Sequence, residues 1–516
     1  MRETFRQSMA WLHAWSGLVV GWVLFAVFVT GTASYYRSEI SHWMRPELLA
    51  TAEPEADALA RAADLGVRYL EQHAGDATGW SIGMPRPDFP AIELYWRSRP
   101  GPPTGHALLD PETGAPASVR DTRGGDFLYR FHFELSLPPL WGRWLVGACA
   151  MIMLIALISG IVTHRRIVTD FFTFRRDRSA QRGWLDAHNV AGVLALPFHL
   201  MITYSGLGTL ALLYMPWGVT TAYRGDAQRY FAESGQVLPS QDPAGRPAAL
   251  PPLGPIVLRV LAESSQPLER VTVAHPRDAN ATVLAIFEEP HGLAHLHPQV
   301  SIAAATGAIR ARTLPAEPAT RTHAVMVGLH EAHFADAMVR ALFVLSGLLG
   351  CATIATGLVL WTVARAPKPR DARSLGLRLV EALNVGTIVG LPAAIACYLL
   401  ANRLVPSDLP GRAVWEVRLF FAGWFAIALM ALLRPRARRW HEALTCAAAL
   451  YLAVPTADLL SRGWVAFASQ AAFLWFDAAM LATAAVLALA ACRTAGRATM
   501  PQSPIARPAP SRPSLS

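Results

Sequence analysis

Seven histidines lie in or beside the first four apolar segments of the chain, where an ionisable side chain is costly and usually has a function. Two of them, His188 and His199, are eleven residues apart in the stretch 184–214, which is long and apolar enough to cross a bilayer. In one continuous helix that interval is about three turns, so both imidazoles would share one stripe, roughly 16 Å apart along the axis. The stretch therefore predicts two stacked ligand sites at different depths.

The remaining five histidines border three other apolar segments and fall on two levels. His13 begins the first segment and His164 ends the second, level with His188. The others precede the second and fourth segments on the opposite side: His132, His330 and His333. Neutral imidazole is a common metal ligand and an axial ligand of haem iron. Histidines on facing helices at two levels thus predict two b-type haems, each held by two imidazoles, with the pairing left open.

Small and cationic residues nearby suit a flat, anionic macrocycle. Gly17 and Gly21 fall on the stripe of His13, and Gly192 and Ala195 fall on that of His188. Three arginines could pair with propionates: Arg143, Arg165 and Arg340.

Each candidate also has a structural alternative. A histidine at the headgroup level often has no special role, and His199 could instead make a hydrogen bond between helices. Of His330 and His333, one could bind iron while the other faces water. A further motif, HGLAHLH, could bind iron or copper directly or could be a solvated loop; its histidines are His291, His295 and His297, next to Glu288 and Glu289.

The composition excludes an ordinary soluble protein, because 53% of the 516 residues are hydrophobic and only 16% are charged. The net charge of +9 comes from arginines clustered beside apolar segments, which indicates orientation in a membrane rather than binding to nucleic acid. The five cysteines lie in or at the ends of apolar segments, so no disulfide framework is expected. Gly206 and Gly208 lack the context of a dinucleotide fingerprint, so electrons would have to come from a separate donor.

Eight apolar segments predict a mainly α, polytopic membrane protein with about eight transmembrane helices: approximately 11–36, 140–163, 186–214, 338–363, 377–401, 413–433, 441–460 and 469–492. The first is too long for a cleaved signal peptide and is interpreted as a retained span. Arginine-rich connections alternate with two long polar insertions along the chain. The positive-inside rule then predicts cytoplasmic termini and periplasmic insertions in a bacterial inner membrane.

The predicted organisation follows from these segments: a first span (1–36), a periplasmic insertion (37–135), two spans around an arginine-rich cytoplasmic loop (136–214), a second periplasmic insertion (215–335), a fourth span (336–365), a four-span extension (366–495) and a disordered tail (496–516). Each insertion has a helix-like run, at 55–72 and 253–263, followed by strand-like runs. We therefore expect each insertion to pack one helix on a small antiparallel sheet.

Matched spacings indicate an internal repeat in the first four spans. His13 is followed by glycines after 4 and 18 residues, and so is His188. Arg143 and Arg340 each precede a glycine by 17 residues. Two copies of such a unit commonly place a site at their interface, although glycine is frequent in membrane helices and chance matches occur.

Several long motifs in residues 1–365 resemble the PepSY-associated transmembrane helix family, which includes bacterial inner-membrane ferric-siderophore reductases and iron-regulated membrane proteins. The most specific is THRRIVTDFFTFR followed by LDAHNVAGVLALPFHL, and WLHAWSGLVVGWVLFAVFVTGT adds to it. The resemblance implies that both insertions are PepSY-like and that the seven histidines are haem-ligand candidates. In the segment FHFELSL the family often has a second histidine, where this chain has Ser136.

The leading expectation is a membrane haem protein that moves electrons outward, from a cytoplasmic or quinol donor, to reduce ferric iron in a siderophore at the periplasmic face. One alternative is a sensor or assembly protein without redox activity, in which the histidines are structural. Another is a siderophore or iron transporter that uses the repeat interface as a path.

Overall fold

The computed structural model describes residues 4–98, 104–164, 179–238, 240–365, 375–468 and 470–499. Within them, seven helices are long and apolar enough to cross a membrane, and a bent pair of helices makes a possible eighth crossing. The prediction of a mainly α, multi-pass membrane protein with about eight spans is confirmed.

The first repeat unit consists of two spans around an insertion. Its elements are α1 (Phe5–Ser34), α2 (Arg37–Trp43), α3 (Ala56–His73), β1 (Gly79–Gly83), β2 (Ile92–Arg97), β3 (Gly105–Leu109), α4 (Asp126–Glu134) and α5 (Pro139–Thr163). Pro139 starts α5 at a position where a missing N–H costs no helical hydrogen bond.

The second repeat unit has the same plan with more short helices. Its elements are α6 (Ala180–Leu194), α7 (Leu196–Thr209), α8 (Ala211–Tyr214), α9 (Trp217–Ala222), α10 (Ala227–Glu233), α11 (Gly254–Ala262), β4 (Leu268–Ala274), β5 (Thr282–Phe287), β6 (Gln299–Ala303), β7 (Ile309–Arg312), α12 (Pro318–Glu331) and α13 (Ala337–Ala364).

The third span is not one straight helix, and in this respect the sequence-based prediction is wrong. Helices α6 and α7 meet at Ala195 with a bend of 66°. Pro197 lies in the first turn of α7, where its ring and missing N–H prevent continuation of the preceding helix. His188 and His199 are therefore on two differently directed helices, and they do not share a stripe.

The two insertions form one sheet rather than two. All seven strands are antiparallel neighbours in the order β3-β2-β1-β4-β5-β6-β7. The central pair joins the insertions, with Trp80 opposite Val273. Helices α3 and α11 bury their apolar faces in the same core, which includes Leu70 and Val257. The pairing satisfies the backbone groups of two strand edges that separate sheets would expose.

The four-span extension consists of α14 (Leu375–Ile388), α15 (Gly390–Leu404), α16 (Arg412–Leu433), α17 (Arg436–Ala468) and α18 (Ala471–Thr499), of which α14 and α15 together form one span. Helix α18 continues to Thr499 and so includes the first residues of the predicted tail, whereas 500–516 lie outside the described residues.

Buried polar contacts fix this extension to the first repeat unit. Arg403 forms a fully buried ion pair with Asp458 inside the extension, with Nε 2.7 Å from Oδ1, and its Nη2 donates to the carbonyl of Trp43 on α2 at 2.5 Å. The amide of Asn402 donates to the carbonyl of Met44 after α2, at 3.0 Å, and Thr122 donates to Glu416 at 2.5 Å. The extension thus packs against α2 and against the residues that precede α4.

Candidate functional site: two pairs of facing histidines

One pair of imidazoles lies between α1 and α6. The ring centroids of His13 and His188 are 6.1 Å apart, with the ring planes at 65°. Nδ1 of His13 is 2.8 Å from the carbonyl oxygen of Ala156 on α5. Nδ1 of His188 is likewise 2.8 Å from the carbonyl oxygen of Thr353 on α13. Each ring is thus oriented by the second span of its own repeat unit.

The other pair lies at the opposite ends of the spans. The ring centroids of His132 on α4 and His330 on α12 are 5.9 Å apart. Nδ1 of His132 is 2.8 Å from the carbonyl of Val27, and Nδ1 of His330 is 3.0 Å from that of Ile202. Burial lowers the pKa of His132, and burial together with His132 lowers that of His330 to about 4, so both imidazoles are neutral at pH 7.

The hydrogen bonds determine which nitrogen of each ring can bind a metal. A carbonyl oxygen only accepts, so Nδ1 carries the proton in all four rings. Across the described ranges, the hydrogen bonds of these four imidazoles use Nδ1 and leave Nε2 with its lone pair. Metal-bound histidines are typically held in this way, with the second nitrogen donating to a carbonyl or carboxylate.

The two pairs follow the internal repeat. Val27 and Ile202 stand fourteen residues after His13 and His188, respectively. Each pair therefore takes one histidine from each repeat unit, and equivalent carbonyls orient equivalent rings. The repeat inferred from glycine and arginine spacing brings four of the seven candidate histidines together in two sites.

The matched glycines of the repeat lie against these rings. A Cβ at Gly31 would be 2.6 Å from Nδ1 of His132, and one at Gly206 would be 2.6 Å from Cε1 of His330. Cβ atoms at Gly160 and Gly357 would lie 3.2 and 3.1 Å from the rings of His13 and His188. The absence of a side chain at these four glycines thus leaves the space that the imidazole rings occupy.

A cavity of about 710 Å³ leads from the outer pair, His132 and His330, toward the insertions. Its membrane end has apolar walls: Leu24, Val27, Phe28, Val146, Met153, Phe198 and Ile202. Its insertion end has charged walls: Arg37, Arg45, Arg86, Arg123, Arg270, Arg340, Glu39, Asp88, Glu93, Asp126, Glu269 and Glu331.

The ring separations in both pairs are compatible with two imidazoles that bind one metal ion between them. An imidazole nitrogen binds a transition metal at about 2 Å, so two such bonds and half of each ring account for a centroid separation near 6 Å. The apolar end of the cavity lies beside the outer pair. Near His13, a Cβ at Gly17 would meet no atom within 4 Å, whereas one at Gly21 would be 2.8 Å from the side chain of Leu358, so only the first of these two glycines leaves open space.

Three other predicted ligands lie outside the pairs. His199 is buried on α7, and its Nε2 is 3.4 Å from the carbonyl of Ser346 on α13. This is the contact between helices that the sequence analysis gives as the alternative to a ligand role. His164 follows α5, and its backbone N–H donates to Gly160. His333 is half exposed and lies 2.9 Å from Glu331.

Two of the predicted propionate partners contact carboxylates instead. Arg143 is 2.7 Å from Glu134, and Arg340 is 2.6 Å from Glu39. Arg165 lies outside the described residues. Only Arg340 of this set lines the cavity, within the part of the chain that the structure describes.

The HGLAHLH loop contributes to a second cluster at the insertion side. Ligand atoms of Glu289, His295 and His333 all lie within 4.8 Å of one another. His297 is 3.1 Å from Glu289 and from Glu269; these hydrogen bonds raise the pKa of His297 to about 10. Burial raises the pKa of Glu289, but the hydrogen bonds of His295 and His297 outweigh it and lower that pKa to about 2.

The composition of this cluster differs from the predicted one. Of the three histidines that the sequence predicts as ligands, only His295 belongs to the three-residue group found in the described ranges; His291 is exposed, and His297 contacts Glu269 and Glu289 instead. The second imidazole of the group is that of His333, which is far away in sequence. The proximity of His295 and His333 depends on how the loop of the second insertion packs against α12, which the sequence does not show.

Residues 10–364 match the family model of the PepSY-associated TM region. The uncharacterized protein PA4219 of Pseudomonas aeruginosa is 31% identical over 320 residues, which cover 57% of this chain and 76% of that relative. The match to the family model includes all four histidines of the two pairs and ends just before the four-span extension. The chain belongs to the PepSY-associated TM region family.

Proposed function

We propose that this chain is a b-type haem protein of the bacterial inner membrane that passes electrons across the membrane and reduces ferric iron in siderophores at the periplasmic side. The observation that carries the proposal is the arrangement of two imidazole pairs at two levels of one four-span core. Haem, when bound, supplies one-electron exchange at its iron, and the chain supplies ligands, burial and orientation.

The levels of the two pairs suit transfer across a bilayer. His132 contacts Val27, which is fourteen residues beyond His13 along α1. At about 1.5 Å per residue, the two levels are about 21 Å apart, compared with a hydrocarbon core of about 30 Å. Electrons from a cytoplasmic or quinol donor would enter near His13 and His188. They would leave near His132 and His330, below the insertions.

The cavity supports a ferric siderophore as the acceptor. Its charged end carries several arginines, whose planar guanidinium groups suit the oxygen-rich shell of a ferric hydroxamate or catecholate complex. The same cavity reaches His132 and His330, so a complex bound at its charged end would be next to the outer haem. Reduction weakens the hold of hard oxygen ligands on iron and releases it.

Haem stoichiometry and the reduced-minus-oxidised spectrum test the haem assignment. Purified wild-type protein is expected to show a b-type α-band and two haems per chain. His188→Ala and His132→Ala should each remove one haem, and the double variant should remove both. His73→Ala, which changes an exposed histidine on α3, should retain two. A colourless wild-type protein, or a double variant with full pigment, contradicts the proposal.

Activity can be tested in proteoliposomes with a reductant inside and a ferric hydroxamate with a ferrous chelator outside. We expect formation of the ferrous chelate to depend on both pairs, so that His188→Ala and His132→Ala each reduce its rate at least tenfold. A rate that is unchanged in both variants would refute electron transfer through the pairs.

A further inference from the structure

We propose that Glu289, His295 and His333 form a ferrous-iron site on the insertion side, next to the outer histidine pair. The choice of ferrous iron as the cation rests on the proposed function. The presence of a site for a divalent transition metal rests on the geometry of the cluster alone.

The three side chains come from two separate parts of the chain, the loop between β5 and β6 and the end of α12, and converge. Glu289 follows β5, His295 lies in the loop after it, and His333 follows α12. Their ligand atoms lie within 4.8 Å of one another, which is close enough for one ion to contact all three. Nδ1 of His295 and Oε1 of Glu289 are shielded from solvent and in contact with each other.

The loop that carries His295 is fixed rather than solvated. The backbone N–H of His295 donates to the carbonyl of Ala324 on α12, at 3.0 Å. Gly328, one turn further on, allows the carbonyl of Leu293 to approach α12 so closely that a Cβ there would clash with it. The approach of the loop to α12 therefore positions His295 near His333.

The kind of ligands indicates the kind of cation. Two imidazoles and one carboxylate on one side of an ion leave other coordination positions open, an arrangement typical of Fe(II). Imidazole is a poor ligand for Mg²⁺, which prefers oxygen atoms and water. His297 contacts the carboxylates of Glu269 and Glu289 at 3.1 Å and can orient the latter toward an ion, as outer-shell partners of metal ligands do.

The cluster lies beside the site proposed for reduction. His333 is three residues after His330, and three peptide units span at most about 11 Å. Haem held by His132 and His330 would supply one electron from its iron to reduce a ferric ion to the ferrous state, and no covalent bond would be formed or broken within the protein. A ferrous ion released from the hard oxygen ligands of the siderophore would then have the imidazoles of the cluster next to it as ligands.

Titration of full-length, untagged protein with Co²⁺ and with anaerobic Fe²⁺, by calorimetry and by equilibrium dialysis with elemental analysis, tests the site. We expect one ion of either metal per wild-type chain and no comparable binding of Mg²⁺. Glu289→Gln and His295→Ala should each weaken binding at least tenfold. His291→Ala, an exposed histidine of the same loop, is the matched control and should leave the affinity unchanged.

Haem content, measured on the same samples, separates the two proposals and reports folding. A wild-type chain without haem that still binds Co²⁺ refutes the proposed function but not the metal site. Wild-type protein that binds no Co²⁺ or Fe²⁺, or equal weakening by His291→Ala and His295→Ala, refutes the metal site. So does unchanged affinity in both Glu289→Gln and His295→Ala.

Discussion

The carbonyl oxygens of Val27 and Ile202 hold equivalent histidines at equivalent places of the two repeat units. Val27 accepts from His132 and Ile202 accepts from His330, and each acceptor lies on the first span of its unit. Because one ring of every pair comes from each unit, neither unit alone can complete a site. The proposed haem sites are therefore a property of the interface between the units.

Enlarging the glycines beside the outer pair should displace its rings. A Cβ at Gly31 or Gly206 would be 2.6 Å from an imidazole atom, a distance that real Cβ atoms essentially never show. We expect Gly31→Ala and Gly206→Ala each to lower the haem content from two to about one, as measured by the pyridine haemochrome method. Gly218→Ala, where a Cβ would meet nothing within 4 Å, should retain two.

Removing the His199 side chain should leave the haem content at two. Its Nε2 faces the carbonyl of Ser346 at 3.4 Å, and its ring packs on the edge of Phe28 rather than facing another candidate imidazole. His199→Ala should lower the melting temperature in detergent, because it leaves a cavity in a buried position. Loss of one haem from this variant would show that His199 is a ligand after all.

Breaking the buried ion pair of the extension should destabilise the protein strongly. Asp458→Asn leaves Arg403 without its charged partner and weakens the contact with Arg462, whose Nη2 is 2.5 Å from Asp458. Loss of one partner of a buried pair costs about 3–5 kcal/mol in unfolding free energy. We expect a clear fall in melting temperature, and no comparable fall for Arg418→Ala on the exposed side of α16. Equal melting temperatures for both variants would contradict this role.

The ionised carboxylate of Glu93 should stabilise the insertion sheet at neutral pH but not in acid. Burial raises the pKa of Glu93, but hydrogen bonds with His106 and Tyr95 outweigh it, so the net pKa is below the ordinary value of 4.5. A lowered pKa contributes stability that is fully present above about pH 4.5 and is lost as the pH falls through the folded-state value. Glu93→Gln should therefore melt below the wild type at about pH 7, and the gap should shrink toward about pH 3. A gap that widened in acid would refute this linkage.

The spans could be predicted from sequence because they depend on local composition. Long apolar runs between arginine-rich connections predict the ends of the spanning helices to within about eight residues, and helical periodicity predicts α3 and α11 almost to the residue. The bend at Ala195 was missed because the apolar run continues through Pro197, and hydropathy alone does not report a change of helix direction.

The pairing of ligands could not be predicted, since it depends on tertiary contacts. The position of His199 deep within an apolar segment predicts a ligand, yet the crossing of α7 and α13 directs its side chain to a carbonyl. The partner of His132 is 198 residues away in sequence, and nothing local distinguishes His330 from His333. The matched spacing of glycines related His13 to His188 in the sequence, and these two rings form one of the pairs.

The hydrogen bonds between β1 and β4 also determine how the chain can be divided. A fragment that contains only one of the two repeat units would have an unpaired edge strand, β1 or β4, where the intact chain has a continuous sheet. Such a fragment would offer that strand to any neighbour, including another copy of itself, and would tend to aggregate. An ancestor with one unit per polypeptide would have had to dimerise to cover this edge, and fusion of two copies makes the cover permanent.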